Sequence, residues 1–176
     1  MKSVLISIQP KWCELIASGK KTVEVRKTRP KLETPFKVYI YATKSGDRLV
    51  LKSDKVFEIS RAITGKVIGE FVCDKVVSVV HYTRIIGDCV LFNTQAIENA
   101  CLTTKKIEKY SSGKDVYGWH ISDLVIYDKP RELSEFSNGS SRLEFSNTED
   151  GFPWKWSGMT RPPQSWCYVE SEVQGK

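Results

Sequence analysis

Apolar and polar residues alternate at several places along the chain, and this predicts a strand-rich protein. Val4 to Ile8 alternates around Ser7 and reads as a strand. Pro10 then suits the first turn of a helix, where its missing N–H costs nothing. Trp12, Leu15 and Ile16 form one apolar stripe, and Gly19 is the stop that follows, so a short helix is expected from Pro10 to Ser18. Thr22 to Arg26 alternates again, with Val23 and Val25 on one side and Thr22, Glu24 and Arg26 on the other. Lys37 to Thr43 is a further strand. Thr43 to Ala62 is polar and mixed and reads as a loop with little regular structure.

Gly65 to Val80 carries the strongest strand pattern, and its interior Gly69 marks a bulge or sharp bend. Asn93 or Thr94 can cap a helix running to Ala100, and Thr103 or Thr104 another reaching Tyr110. Val116 to Tyr127 reads as one or two strands, with Pro130 beyond them. Residues 130–160 are rich in Ser, Asn, Gly and Glu and read as an irregular excursion. A final strand is expected over 164–170. There is no βαβ rhythm. The pattern favours an α+β, β-rich chain of 1–176 forming a single domain: a small β-barrel with short peripheral helices.

Composition narrows the function. A net charge of +6 in 176 residues suits an anionic partner such as RNA or a nucleotide, and equally suits solvated lysines. Five widely spaced cysteines without a CxxC pair, and only two histidines, predict free thiols, no metal site and no cofactor. No apolar run approaches the ~20 residues of a membrane span. A cytoplasmic protein with no membrane partner is expected.

Candidate chemistry gathers in Gly19–Arg26, reading GKKTVEVR. Gly19 turns the chain out of the helix, and Lys20 and Lys21 follow beside a helix C-terminus that welcomes cations. Lys21 and Arg26 can hold phosphate or a polar base edge. Glu24 can orient Arg26, accept a base N–H, or move a proton. The plainer reading is a solvated strand face with weak ion pairs. Arg29 and Lys31 extend the basic rim. Trp154 and Trp156, interleaved with Lys155, can stack bases or pin a long loop. Trp166 reads as core.

The string Gly19-x-Lys21-x-x-Glu24-x-Arg26 resembles the signature of the ASCH domain family, related to PUA domains, and the order of strand, helix, signature and strands agrees. Arg161 to Glu170 resembles the end of phage and prophage members. The resemblance implies a PUA-like barrel with a cleft beside the signature that binds RNA or nucleotides. Some members are similar to small amidohydrolases acting on N4-acetylcytidine, where a lysine and a threonine of the signature work with a later glutamate. Lys21 matches that lysine, and Glu98 is the implied match for the glutamate. Glu24 stands at the threonine position, which removes the hydroxyl nucleophile but leaves water activation by Glu24 or Glu98 open. Three functions therefore compete: an RNA or nucleotide binder, a nucleoside hydrolase or weak ribonuclease, and an interaction domain without nucleotide chemistry.

Overall fold

The structure is a computed structural model. It describes residues 2–44, 49–53, 56–60, 63–83, 89–138, 143–145, 154–156 and 158–170, without the side chains of 49–53, 56–60, 143–145 and 154–156. Strand β1 (Lys2–Ile8) leads into helix α1 (Pro10–Ala17), then β2 (Val23–Arg26) and β3 (Phe36–Ala42). β4 (Leu49–Ser53) and β5 (Val56–Ser60) pair as an antiparallel hairpin. The sequence reading made this stretch a loop, but the strands supply each other's backbone partners and so override its mixed composition.

Next come β6 (Val67–Cys73), β7 (Val76–Thr83), β8 (Cys89–Phe92), α2 (Thr94–Asn99), α3 (Thr104–Ser111), β9 (Val116–His120) and β10 (Ser122–Arg131). The run Gly65–Val80 is thus two strands, divided at Asp74-Lys75, and Pro130 lies inside β10 rather than beyond it. The capping expectations hold: the Asn93 side chain accepts from Ala96 N–H, and Thr103 accepts from Lys106 N–H. Last are β11 (Leu143–Phe145), β12 (Trp154–Trp156) and β13 (Trp166–Glu170), with a 3-10 turn at Leu133–Glu135.

Two sheets form the body. One has the order β10-β6-β3-β1-β13, with β1 and β3 parallel and the other neighbours antiparallel. The other, β2-β9-β7-β8, is wholly antiparallel. The protein is β-rich α+β, as the sequence suggested. The barrel is not closed: among the described residues no ladder joins the two sheets. They meet through side chains instead. Trp119 of β9 is fully buried and lies edge-on to Phe36 of β3 at 5.9 Å.

Successive strand residues point to opposite faces, and here both faces of the five-stranded sheet are covered. Val4, Ile6, Val38, Ile40 and Phe71 belong to the core shared with α1 and Trp119. Leu5, Tyr39, Tyr41, Val67 and Val169 lie beneath Leu133, Phe136 and Met159. The segment expected to be an excursion is therefore, in part, the cover of a sheet face. Met159 N–H donates to Phe136 O at 2.8 Å, which ties its two ends together. Gly69 is required by packing: a Cβ there would collide with Val125 O, where β10 pairs with β6. Register shifts flank this point on both neighbouring strands, so the sheet bends there.

Candidate functional site

The site is built where two helix C-termini converge. Helix α1 ends at Gly19, whose φ of +71° lets its N–H return to Ile16 O. The chain doubles back, and Lys21 N–H reaches Leu15 O at 2.9 Å. Thr22 N–H then binds Asn99 O, locking the turn to the end of α2. Helix ends leave carbonyls without intrahelical partners and carry partial negative charge. The Lys21 ammonium meets one of them: it donates to Ala100 O at 3.1 Å and to Val23 O at 2.7 Å. It also pairs with Glu24 Oε2 at 3.3 Å. Of the three N–H groups of the ammonium, two serve these carbonyls, and the charge is balanced by Glu24. The Trp12 ring packs beside it, 5.4 Å from the ammonium to the ring centre.

Glu24 is held from the other side by Arg26, whose Nη2 lies 3.0 Å from Glu24 Oε1. The same nitrogen donates to Ser7 O of β1 at 2.7 Å. Lys21 is 3% exposed and Glu24 6%, so these charges do not form the solvated strand face that alternation alone suggests. Each carboxylate oxygen is matched to one cation, the condition under which a buried charge is tolerated. Arg26 Nε is buried and has no acceptor among the described residues. Below the cluster lies Cys13. Burial pushes its thiol well up, and the Glu24 carboxylate adds to that, so it stays protonated with its Sγ 3.6 Å from Ile8 O.

The cluster forms one wall of a cavity of about 500 Å³. Trp12, Tyr110, Leu102 and Val25 supply apolar surface, while Lys106, Gln9, Thr43 and Gln164 add polar groups. Gln164 is placed by the last segment of the chain: Ser7 Oγ donates to Pro163 O at 2.6 Å, and Ser7 N–H to Ser165 O at 2.9 Å. Tyr110, 40% exposed, has Lys27 over its ring at 5.1 Å. Burial raises its phenol, with the nearby Arg26 and Glu24 charges acting in opposite directions.

Of the residues singled out from sequence, Lys21, Glu24 and Arg26 come together at this wall. Gly19 shapes the turn but does not line the cavity. Lys20 is exposed, and its carbonyl accepts from Cys101 Sγ at 3.3 Å. Arg29 is exposed and sits over the Tyr117 ring at 5.5 Å. Glu98 is exposed on α2 and is not among the residues lining the cavity. Trp154 and Trp156 pair with Phe145 and Leu143 across β11–β12, but their side chains lie outside the described residues. Trp166 packs on Trp119 at 5.7 Å and donates from Nε1 to Thr28 Oγ1 at 3.0 Å. The sequence reading did not single out Tyr110, Lys106 or Gln164 as site residues. Tyr110 and Lys106 lie four apart on α3, a spacing that puts both on one face, but nothing local says which face meets the cavity. Among the described residues no group of His, Cys, Asp and Glu could hold a metal ion. No helix among them is long and apolar enough to cross a membrane.

A strand-rich body and a paired cationic cluster at a helix-to-strand turn define the class, and the comparisons agree. The ASCH domain matches residues 6–125, so the chain belongs to the ASCH domain family. Its fold resembles the crystal structure of ASCH from Zymomonas mobilis, at 20% identity and a TM-score of 0.56, over 97% of this chain and 89% of that one. A single-residue variant of the Zymomonas mobilis protein matches at 19% identity and a TM-score of 0.54, over 97% and 91% of the two chains. No curated protein gives a significant match.

Proposed function

We propose that this protein is an RNA- or nucleotide-binding ASCH domain on a PUA-like scaffold, and that the cavity beside Gly19–Arg26 receives a single base or nucleotide. The observation that carries this reading is the buried Lys21–Glu24–Arg26 cluster opening onto a cavity of about 500 Å³. That volume lies within the range of small-molecule sites, which are mostly apolar with a few placed polar groups. Trp12 and Tyr110 offer faces for a base. Lys106, exposed on α3 at the cavity wall, is positioned for a phosphate.

Binding is favoured over hydrolysis by the state of Lys21. Two of its donors already serve Val23 O and Ala100 O and its charge is paired with Glu24, which makes it a positioning residue rather than a group held ready for an oxyanion. Glu98, the other group a hydrolytic site would draw on, stands away from the cavity lining. The test is a titration of single-stranded RNA and of the four nucleoside monophosphates against isotope-labelled protein at two salt concentrations. Resonance shifts at Trp12, Glu24 and Tyr110, with RNA affinity falling as salt rises, are expected. Absence of shifts around the cavity at low salt would refute the reading.

A further inference from the structure

Glu24 is the one carboxylate among the described residues lining the cavity. A carboxylate accepts hydrogen bonds and donates none, and its two oxygens offer about four lone-pair sites. Lys21 engages Oε2 and Arg26 engages Oε1, once each, so each oxygen keeps acceptor capacity. The two cations also fix the plane of the group. Glu24 lines the cavity with two adjacent acceptor oxygens, each tied to one cation, and the ligand edge that matches them carries two adjacent donors.

Among the four RNA bases only guanine has such an edge, at N1–H and the N2 amino group. Adenine and cytosine put a ring-nitrogen acceptor beside their amino group. Uracil flanks its single N–H with two carbonyls. Each would set a lone pair against one carboxylate oxygen, and leaving a buried polar group so opposed is costly. A guanidinium compound also carries paired donors, but its positive charge would face Lys21 and Arg26, which outnumber Glu24.

We propose that Glu24 is a specificity residue that selects guanine, reading its N1–H and N2–H pair in a bidentate hydrogen bond. This rests on the base-binding reading of the cavity. Lys21 and Arg26 act through Glu24 by orienting its carboxylate. The base enters with this edge inward, and its ribose and phosphate remain toward Lys106.

Calorimetric titration of the unaltered protein with guanosine, adenosine, cytidine and uridine monophosphates tests this without a substitution in the cluster. Guanosine monophosphate should bind about tenfold or more tightly than the other three, the discrimination expected of a good bidentate pair. Inosine monophosphate, which lacks the N2 amino group, should fall between, and 1-methylguanosine monophosphate should lose the preference. Methylguanidine should bind more weakly than guanosine. In Glu24→Gln, shown folded by its amide spectrum, the guanine preference should vanish because one acceptor becomes a donor. Equal binding of the four monophosphates, with shifts still confined to the cavity, would overturn the selection while leaving the binding reading in place. No binding of any nucleotide would overturn both.

Discussion

Two ion-pair clusters in this molecule use the same chemistry in different surroundings. Lys21, Glu24 and Arg26 lie between a helix turn, a strand and the end of α2, with Lys21 and Glu24 at 3% and 8% side-chain exposure. Lys37 and Glu70 pair across β3 and β6 at 2.7 Å, with Tyr127 also donating to Glu70, at 44% and 22% exposure. The second cluster keeps part of its water, with Lys37 exposed and Glu70 half-buried. The first has given up its water and depends on protein oxygens and on its own internal charge balance. Burial converts an ion pair from a minor surface ornament into a fixed arrangement of acceptors, because removing one member leaves the others unpaired in a poorly solvating place.

Substitutions at the two clusters should separate them sharply. Glu24→Ala should have the largest effect, about 3–5 kcal/mol of lost stability, since it leaves the buried Lys21 and the partly buried Arg26 without their shared counter-charge. Chemical denaturation checks this, and a cost under 1 kcal/mol would mean that water reaches the cluster freely. Lys21→Met keeps the stem but removes three donors, and should cost about 3 kcal/mol by the same principle. Adding Glu24→Gln to it should cost less than the sum of the two single changes, which a double-mutant cycle reads directly.

Glu70→Gln should cost only about 1 kcal/mol, the upper range for an exposed pair. Its pH dependence has a definite sign. Burial would raise the Glu70 carboxyl, but hydrogen bonds from Lys37 and Tyr127 outweigh it and hold the group below its ordinary 4.5. A carboxylate lowered on folding stabilises fully above its unfolded value, and that contribution fades as pH falls through the folded one. The gap in melting temperature between the parent and Glu70→Gln should therefore be present at pH 7 and close on acidification below about 4.5. The smallest effect is expected at Asp74→Asn. There His120 Nδ1 lies 2.7 Å from an exposed carboxylate, and the loss should be a few tenths of a kcal/mol, diminishing further in high salt.

Much of the body was legible from local pattern. Alternation locates β1, β2 and β3, and the caps at Asn93 and Thr103 locate both later helices, because these signals need only a few neighbouring residues. The β4–β5 hairpin reads as a loop in the sequence because Leu49–Leu51 and Val56–Phe57 are short apolar runs set among polar and charged residues, and only their pairing makes them strands. Strand β8 carries no strand pattern in the sequence, since it sits at a sheet edge with Leu91 exposed, where burial imposes little pattern. The cover formed by Leu133, Phe136 and Met159 looks like an excursion in the sequence because its apolar residues are sparse and distant from one another.

The sequence by itself determined the turn at Gly19, the short helix before it, and the placing of Lys21, Glu24 and Arg26 within reach of one another. Glycine and alternation act over a few residues, so those features are visible in a linear string. Only the tertiary structure decided that the three charges are buried and aligned on a cavity. The oxygens that make burial tolerable come from Ala100, 79 residues away, and from Ser7, 19 residues away. Whether a charged strand face meets water or protein depends on what packs against it, and here that is the end of α2, strand β1 and the last segment of the chain.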